Sequence, residues 1–94
     1  MEQEYAGLEQ LRKEIDRLDG VLLAAWEART TLAEEIGRVK KAAGLPVEDK
    51  GREAQVLRKI TETLSRPELT EDAAALYRTI FALSRKRQEE AGGT

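Results

Sequence analysis

Three cationic side chains in the N-terminal part of the sequence could bind an anionic ligand. Arg29 interrupts a row of apolar residues at seven-residue spacing, between Leu22 and Ile36, where a buried arginine needs an anionic partner. Lys40 follows eleven residues later, close to three helical turns, so both side chains leave the same side of a helix and can reach one ligand. Arg12 lies ~25 Å from Arg29 along such a helix, so it can serve that ligand only from a second copy of the chain.

Each of these cations also has an ordinary explanation. Arg29 can extend to the edge of the apolar row or pair with a Glu in a dimer, because single polar residues at such positions also fix helix register. Arg12 and Lys40 flank the row, where charged side chains usually make solvated interhelical pairs. Taken singly, these explanations are favoured over a ligand site.

Composition excludes several classes of function. The sequence has no His and no Cys, which rules out thiol chemistry, histidine general bases and Ser-His-Asp triads. Its 16 basic and 18 acidic residues are mixed along the chain, so there is no electrostatic footprint for nucleic acid. No apolar run is long enough for a signal peptide or a bilayer span, which predicts a cytoplasmic protein without membrane association.

The cations lie on a predicted long helix at about residues 4–44 of an all-α chain. No proline interrupts this segment, and Gly44 with Pro46 ends it. At ~1.5 Å per residue the helix is about 60 Å long, too long to fold back over its own apolar seam. A second copy of the chain is the expected cover. The seam consists of two series at seven-residue spacing: Leu8, Ile15, Leu22, Arg29, Ile36, Ala43 and Leu11, Leu18, Ala25, Leu32, Val39.

Two further helices complete a single predicted domain over residues 1–94. The short one, at about 50–65, begins after Asp49 as N-cap, and the third, at about 70–90, begins near Thr70, whose hydroxyl is a candidate cap. Ser84 and Gln88 extend the apolar face of the third helix with polar groups. On the pattern alone, fraying of the C-terminal helix into solvent explains them.

Glu53 heads the apolar stripe of the short helix, and Asp49 and Arg52 lie in the turn before it. Capping and ion pairing between residues three apart, worth a few tenths of a kcal/mol, are sufficient explanations for these three residues.

Together, these positions resemble the all-α chorismate mutases from about Leu8 to Gln88. The family fold has three helices per subunit, and the long helices of two subunits cross in an intertwined homodimer with two composite active sites. The resemblance is carried by Leu11-Arg12-Lys13-Glu14-Ile15-Asp16 with Leu18-Asp19, by Arg29 ahead of Leu32-Ala33 and Ile36-Gly37-Arg38-Val39-Lys40, by Pro46-Val47-Glu48-Asp49 with Arg52-Glu53, and by Ser84 followed by Gln88.

The resemblance implies a role for each matched position. Arg29 and Arg12 of the partner subunit would clamp the two carboxylates of chorismate. Lys40 and Gln88 would donate hydrogen bonds to the ether oxygen of the breaking bond. The supporting roles fall to Ser84 and Arg52 at the anion site, to Glu53 and the backbone near Asp49 at the ring hydroxyl, and to Asp49 in orienting its neighbours.

The implied reaction is the Claisen rearrangement of chorismate to prephenate, a step of phenylalanine and tyrosine biosynthesis. It is concerted within one molecule and needs no cofactor or metal, so a chain without His or Cys can catalyse it. Two alternatives stay open: a related enzyme on the same fold (isochorismate pyruvate lyase or 4-amino-4-deoxychorismate mutase), and a non-catalytic helical dimer or prephenate-binding regulatory module.

Overall fold

The computed structural model describes residues 2–93, with side chains from Tyr5 onward. Within this range no residue lies in a strand, and the predicted all-α architecture of one long, one short and one medium helix is confirmed. None of the helices of the described residues is long and apolar enough to cross a membrane. The elements are α1 (Glu2–Ala43), α2 (Lys50–Thr63), a 3-10 turn (Pro67–Leu69) and α3 (Thr70–Ala91).

The chain divides after Thr31 into two compact units. The first unit is the N-terminal part of α1, and its apolar row faces solvent: Leu11 is 64% exposed and Leu22 is 62% exposed. Gly20 lies inside the helix without ending it. An apolar row of this length left uncovered on one chain is typical of a surface that another protein chain covers.

The second unit contains the end of α1 together with α2, the 3-10 turn and α3. Ala33 and Phe81 are the buried apolar side chains among the described residues. Tyr77 packs edge to face against Phe81, with ring centroids 5.9 Å apart. This core is small, and the row of apolar side chains on α1 continues in solvent at Val39, which is 66% exposed.

Gly37 allows the end of α1 to approach the end of α3 at backbone distance. A Cβ atom at this position would lie 2.3 Å from the carbonyl oxygen of Gln88 and 2.6 Å from its Cα atom. Real Cβ atoms do not approach other atoms so closely, so any side chain at residue 37 would push α1 and α3 apart. The close approach places Lys40, one helical turn later on α1, within reach of α3.

The turns between helices follow the sequence signals with one exception. Gly44 adopts φ +69, and the backbone N–H of Leu45 donates to the carbonyl of Lys40 at 2.8 Å, which closes α1 as predicted. Asp49 caps α2 as predicted, since its Oδ1 accepts from the backbone N–H of Arg52 at 2.9 Å.

The predicted cap at Thr70 is wrong. Leu69 occupies the N-cap position of α3, and no side chain caps this helix. The 3-10 turn runs directly into α3, so Thr70 already has helical geometry, with φ −57 and ψ −47. Its hydroxyl therefore donates backwards to the carbonyl of Pro67, at 2.7 Å, instead of accepting from the first turn of the helix.

Candidate active site

Lys40, Gln88 and Ser84 form a hydrogen-bonded cluster between α1 and α3. The Nζ of Lys40 donates to the Oε1 of Gln88 at 2.9 Å and to the backbone carbonyl of Val47 at 2.7 Å. The Nε2 of Gln88 donates to the Oγ of Ser84 at 3.2 Å. The structure therefore brings together three of the residues singled out from the sequence.

Gln88 is buried, with only 7% of its surface exposed, and α3 continues past it to Ala91. Fraying of the helix end therefore does not explain the polar residues at this position and at Ser84. A buried amide must find hydrogen-bond partners, and Gln88 finds one on each side. Because an ammonium group only donates, the amide oxygen must face Lys40, which turns the NH2 group toward Ser84.

The cluster retains donors for a ligand. An ammonium group has three N–H bonds, and two of those of Lys40 are used by Val47 and Gln88. The NH2 group of Gln88 has two N–H bonds, and Ser84 uses one. One N–H of each side chain makes no hydrogen bond with the described residues and is left for a ligand.

Glu53 on α2 is paired with Arg85 on α3. The Nη1 of Arg85 donates to the Oε2 of Glu53, and the two side chains are 32% and 25% exposed. This hydrogen bond raises the pKa of the Arg85 guanidinium above its ordinary value, and the nearby charges of Glu48 and Glu89 act in the same direction against partial desolvation. The sequence singled out Glu53 but gave Arg85 no role.

Asp49 and Arg52 lie in the first turn of α2. Asp49 acts as the helix cap, and the guanidinium of Arg52 donates to the Oε1 of Gln55 at 2.7 Å on the exposed side of the helix. Arg52 is not joined to Lys40, Ser84 or Gln88 by a hydrogen bond in the described part of the chain.

Arg12 and Arg29 belong to the first unit, so each is described by itself. Arg12 is exposed, whereas Arg29 is half-buried. Neither guanidinium makes an ion pair or hydrogen bond with another of the described residues. A half-buried arginine without an anionic partner among the described residues is suited to bind an anionic ligand.

An open cavity of about 390 Å³ lies beside Gln88. Val47, Glu48 and Gly37 contribute to its wall, together with Gln88. The carbonyl of Val47 and the glycine at position 37 were not predicted as parts of the site. A backbone carbonyl has no signature in sequence, and a glycine inside a helical segment is a weak signal of close approach, because Gly7 and Gly20 lie in the same helix and a Cβ at either would meet no atom within 4 Å.

Among the described residues, no group of three or more acidic side chains is arranged to hold a metal ion.

Comparison with known families places the chain in one of them. The sequence profile described as chorismate mutase type II matches residues 11–89. The chain belongs to the type II chorismate mutase family. The matched range extends from just before Arg12 to just after Gln88, so it contains every residue of the predicted site in this family member.

Two curated proteins are similar to part of this chain. A 3-dehydroquinate dehydratase of Pyrobaculum aerophilum is 47% identical over 53 residues, which are 56% of this chain and 18% of the relative. A bifunctional chorismate mutase/prephenate dehydratase of Aquifex aeolicus is 43% identical over 53 residues, which are 56% of this chain and 15% of the relative. The chain thus spans less than a fifth of the length of either relative. No solved structure matches the chain at a significant level.

Proposed function

We propose that this chain catalyses the rearrangement of chorismate to prephenate. The observation that carries the proposal is the buried cluster of Lys40, Gln88 and Ser84, with two N–H donors left over, in a member of the type II chorismate mutase family. The bifunctional Aquifex aeolicus relative, whose name includes chorismate mutase, supports the same assignment.

The reaction requires that negative charge be stabilised on the ether oxygen as its bond to the ring stretches. The remaining N–H of Lys40 and that of Gln88 would meet this oxygen. Because Val47 and Gln88 already hold the ammonium group, little reorganisation is needed when the charge develops. A millionfold acceleration corresponds to ~8 kcal/mol, a magnitude that preorganised charge in a water-poor site can supply in large part.

Binding of the two substrate carboxylates is assigned to arginines. Arg29 and Arg12 of the partner subunit would clamp them, since a planar guanidinium forms paired hydrogen bonds with a carboxylate. Arg52 and Ser84 would support this anion site. Neither Arg12 nor Arg29 is engaged by another described residue, which leaves both available.

The ring hydroxyl of the substrate would bind at the start of α2. The carboxylate of Glu53 would accept its hydrogen bond, together with the backbone near Asp49, and Asp49 orients this turn through its hydrogen bond to the Arg52 backbone. Glu53 is suited to this role because the pairing with Arg85 uses Oε2, and Oε1 makes no hydrogen bond with the described residues.

The proposed working form is an intertwined homodimer. Support comes from the exposed apolar row on α1 and the small core, since a 94-residue chain with so few buried side chains gains stability by sharing a core. A cytoplasmic location stays a prediction from the sequence.

Spectrophotometry tests the proposal directly. Purified protein should consume chorismate, seen as a loss of its absorbance, and acidification should then convert the product to phenylpyruvate. Lys40→Ala protein should lose at least about a thousandfold in kcat while keeping its helical circular dichroism spectrum. Absence of turnover by the folded wild-type dimer, or full activity in Lys40→Ala, would exclude the proposed function.

A further inference from the structure

The ion pair between Arg85 and Glu53 lies at the part of the proposed site that meets the ring hydroxyl. Arg85 adjoins Ser84 on α3, and its guanidinium bonds the Oε2 of Glu53 across to α2. The second oxygen of Glu53 makes no hydrogen bond with the described residues, so it can accept one from a substrate.

Three acidic residues act on the charge of Arg85. Besides Glu53, the charges of Glu48 and Glu89 lie close enough to raise the pKa of Arg85. Removal of the Arg85 charge would leave the Glu53 carboxylate without the cation that contacts it. A carboxylate without such a neighbour favours a cationic ligand group, whereas the carboxylate of Glu53 is now offset by a guanidinium in direct contact with it.

A ring hydroxyl and a ring amino group make different demands on this position. A hydroxyl is neutral and needs only an acceptor, which Glu53 provides whether or not its charge is offset. An alkyl amine is protonated at neutral pH, so it gains from an unopposed carboxylate and is repelled by a neighbouring guanidinium.

We propose that Arg85, acting through Glu53, sets the preference of this site for a substrate with a ring hydroxyl over the analogue with an amino group at the same carbon. This inference rests on the function proposed above. Arg85 is a specificity-determining and positioning residue: it touches Glu53, and Glu53 touches the substrate.

The test compares kcat/KM for chorismate with kcat/KM for 4-amino-4-deoxychorismate in wild-type protein and two variants. We define the preference ratio as kcat/KM for chorismate divided by kcat/KM for the amino analogue. Arg85→Gln should lower this preference ratio by about tenfold, because the substrate amine no longer faces a cation. Glu53→Gln should change the ratio in the opposite direction, since the guanidinium then acts unopposed. A general loss of folding or packing would lower kcat/KM for both substrates. It would not change the ratio in opposite directions in the two variants.

Arg87→Gln is the matched control. It removes the same charge from the same helix, but Arg87 pairs with Glu90, at 3.3 Å, on the exposed surface. The ratio of the two kcat/KM values in Arg87→Gln should equal that of wild type. Arg85→Lys, which keeps the positive charge, should keep most of the wild-type ratio. An unchanged ratio in Arg85→Gln, or an equal change in Arg87→Gln, would overturn the inference although the enzyme is active. If wild-type protein turns over neither substrate, both the proposed function and this inference are wrong.

Discussion

Lys40 and Gln88 show how a neutral amide can hold an ammonium group in place, which the proposed catalysis would use. The amide oxygen of Gln88 takes one Lys40 N–H at 2.9 Å, and the carbonyl of Val47 takes another at 2.7 Å. The orientation of the third N–H is thereby fixed before a ligand binds. Such preorganisation is worth more in a buried site than in water, because the local dielectric response is smaller.

Gln88→Glu should make the activity depend on acid. A carboxylate at residue 88 can still accept from Lys40, so the fold is expected to persist, but it donates to an ether oxygen only when protonated. At neutral pH its charge would also oppose the negative charge that grows in the transition state. The substitution should therefore lower mainly kcat at neutral pH, and kcat should rise again as the pH is lowered.

The check on this substitution is a pH profile of kcat between about pH 5 and pH 8, a range that begins close to the ordinary pKa of a glutamate carboxyl and runs well above it. Gln10→Glu, an exposed change on α1 outside the apolar row, is the control and should follow the wild-type profile. Full activity of Gln88→Glu across that range would show that residue 88 does not touch the ether oxygen.

Individual residues differ in how far the sequence alone predicts them. Ser84 and Gln88 drew attention as polar groups on an apolar helical face, and Lys40 by its spacing from Arg29, but the pattern alone favoured ordinary explanations for them, and their site roles came from the family resemblance. Arg85 was given no role, since its partner lies on a different helix and arginines on helix surfaces are common. Pairing between α2 and α3 depends on how the helices pack, which periodicity within one helix does not determine.

At the scale of helices, the contact of α1 with α3 depends on one missing side chain. Gly37→Ala should therefore destabilise the protein by about 1–3 kcal/mol, since the new methyl group would meet the backbone of Gln88, which cannot rotate away. Activity should fall as well, because Lys40 and Gln88 would move apart.

Gly20→Ala is the matched control, because a Cβ there would meet no atom within 4 Å. This variant should gain about 0.5–1 kcal/mol from the higher helix propensity of alanine. Urea denaturation of both variants measures the difference in the free energy of unfolding. Equal stability of the two proteins would contradict the assigned role of Gly37.

Some helix boundaries could be predicted from neighbouring residues, and others could not. Asp49 was predicted as a cap from the residues next to it, and the cap is present because its side chain needs only the following turn. The prediction of Thr70 as a cap was wrong because a 3-10 turn precedes α3. The backbone is therefore already helical at Thr70, and this residue cannot serve as the N-cap. Short turns of this kind have weak signatures in sequence.

At the scale of the whole molecule, the exposed apolar row on α1 predicts a dimer. Sedimentation at micromolar concentration should give about twice the chain mass of 10.5 kDa. Leu22→Lys, in the row, should shift the protein toward monomer and abolish activity. Leu23→Lys, the same change at the adjacent exposed leucine outside the row, should not. A wild-type protein that sediments as an active monomer would refute this assembly.

Mixing of subunits tests whether the proposed site combines residues of two chains. Arg12→Ala and Lys40→Ala proteins should each be inactive alone, as each lacks one part of every site. When equal amounts exchange subunits, heterodimers contain one site with Lys40 from one chain and Arg12 of the partner subunit, so chorismate consumption should recover to about a quarter of the wild-type rate. No recovery of activity, although subunit exchange is demonstrated, would show that Arg12 and Lys40 do not serve one site from two chains.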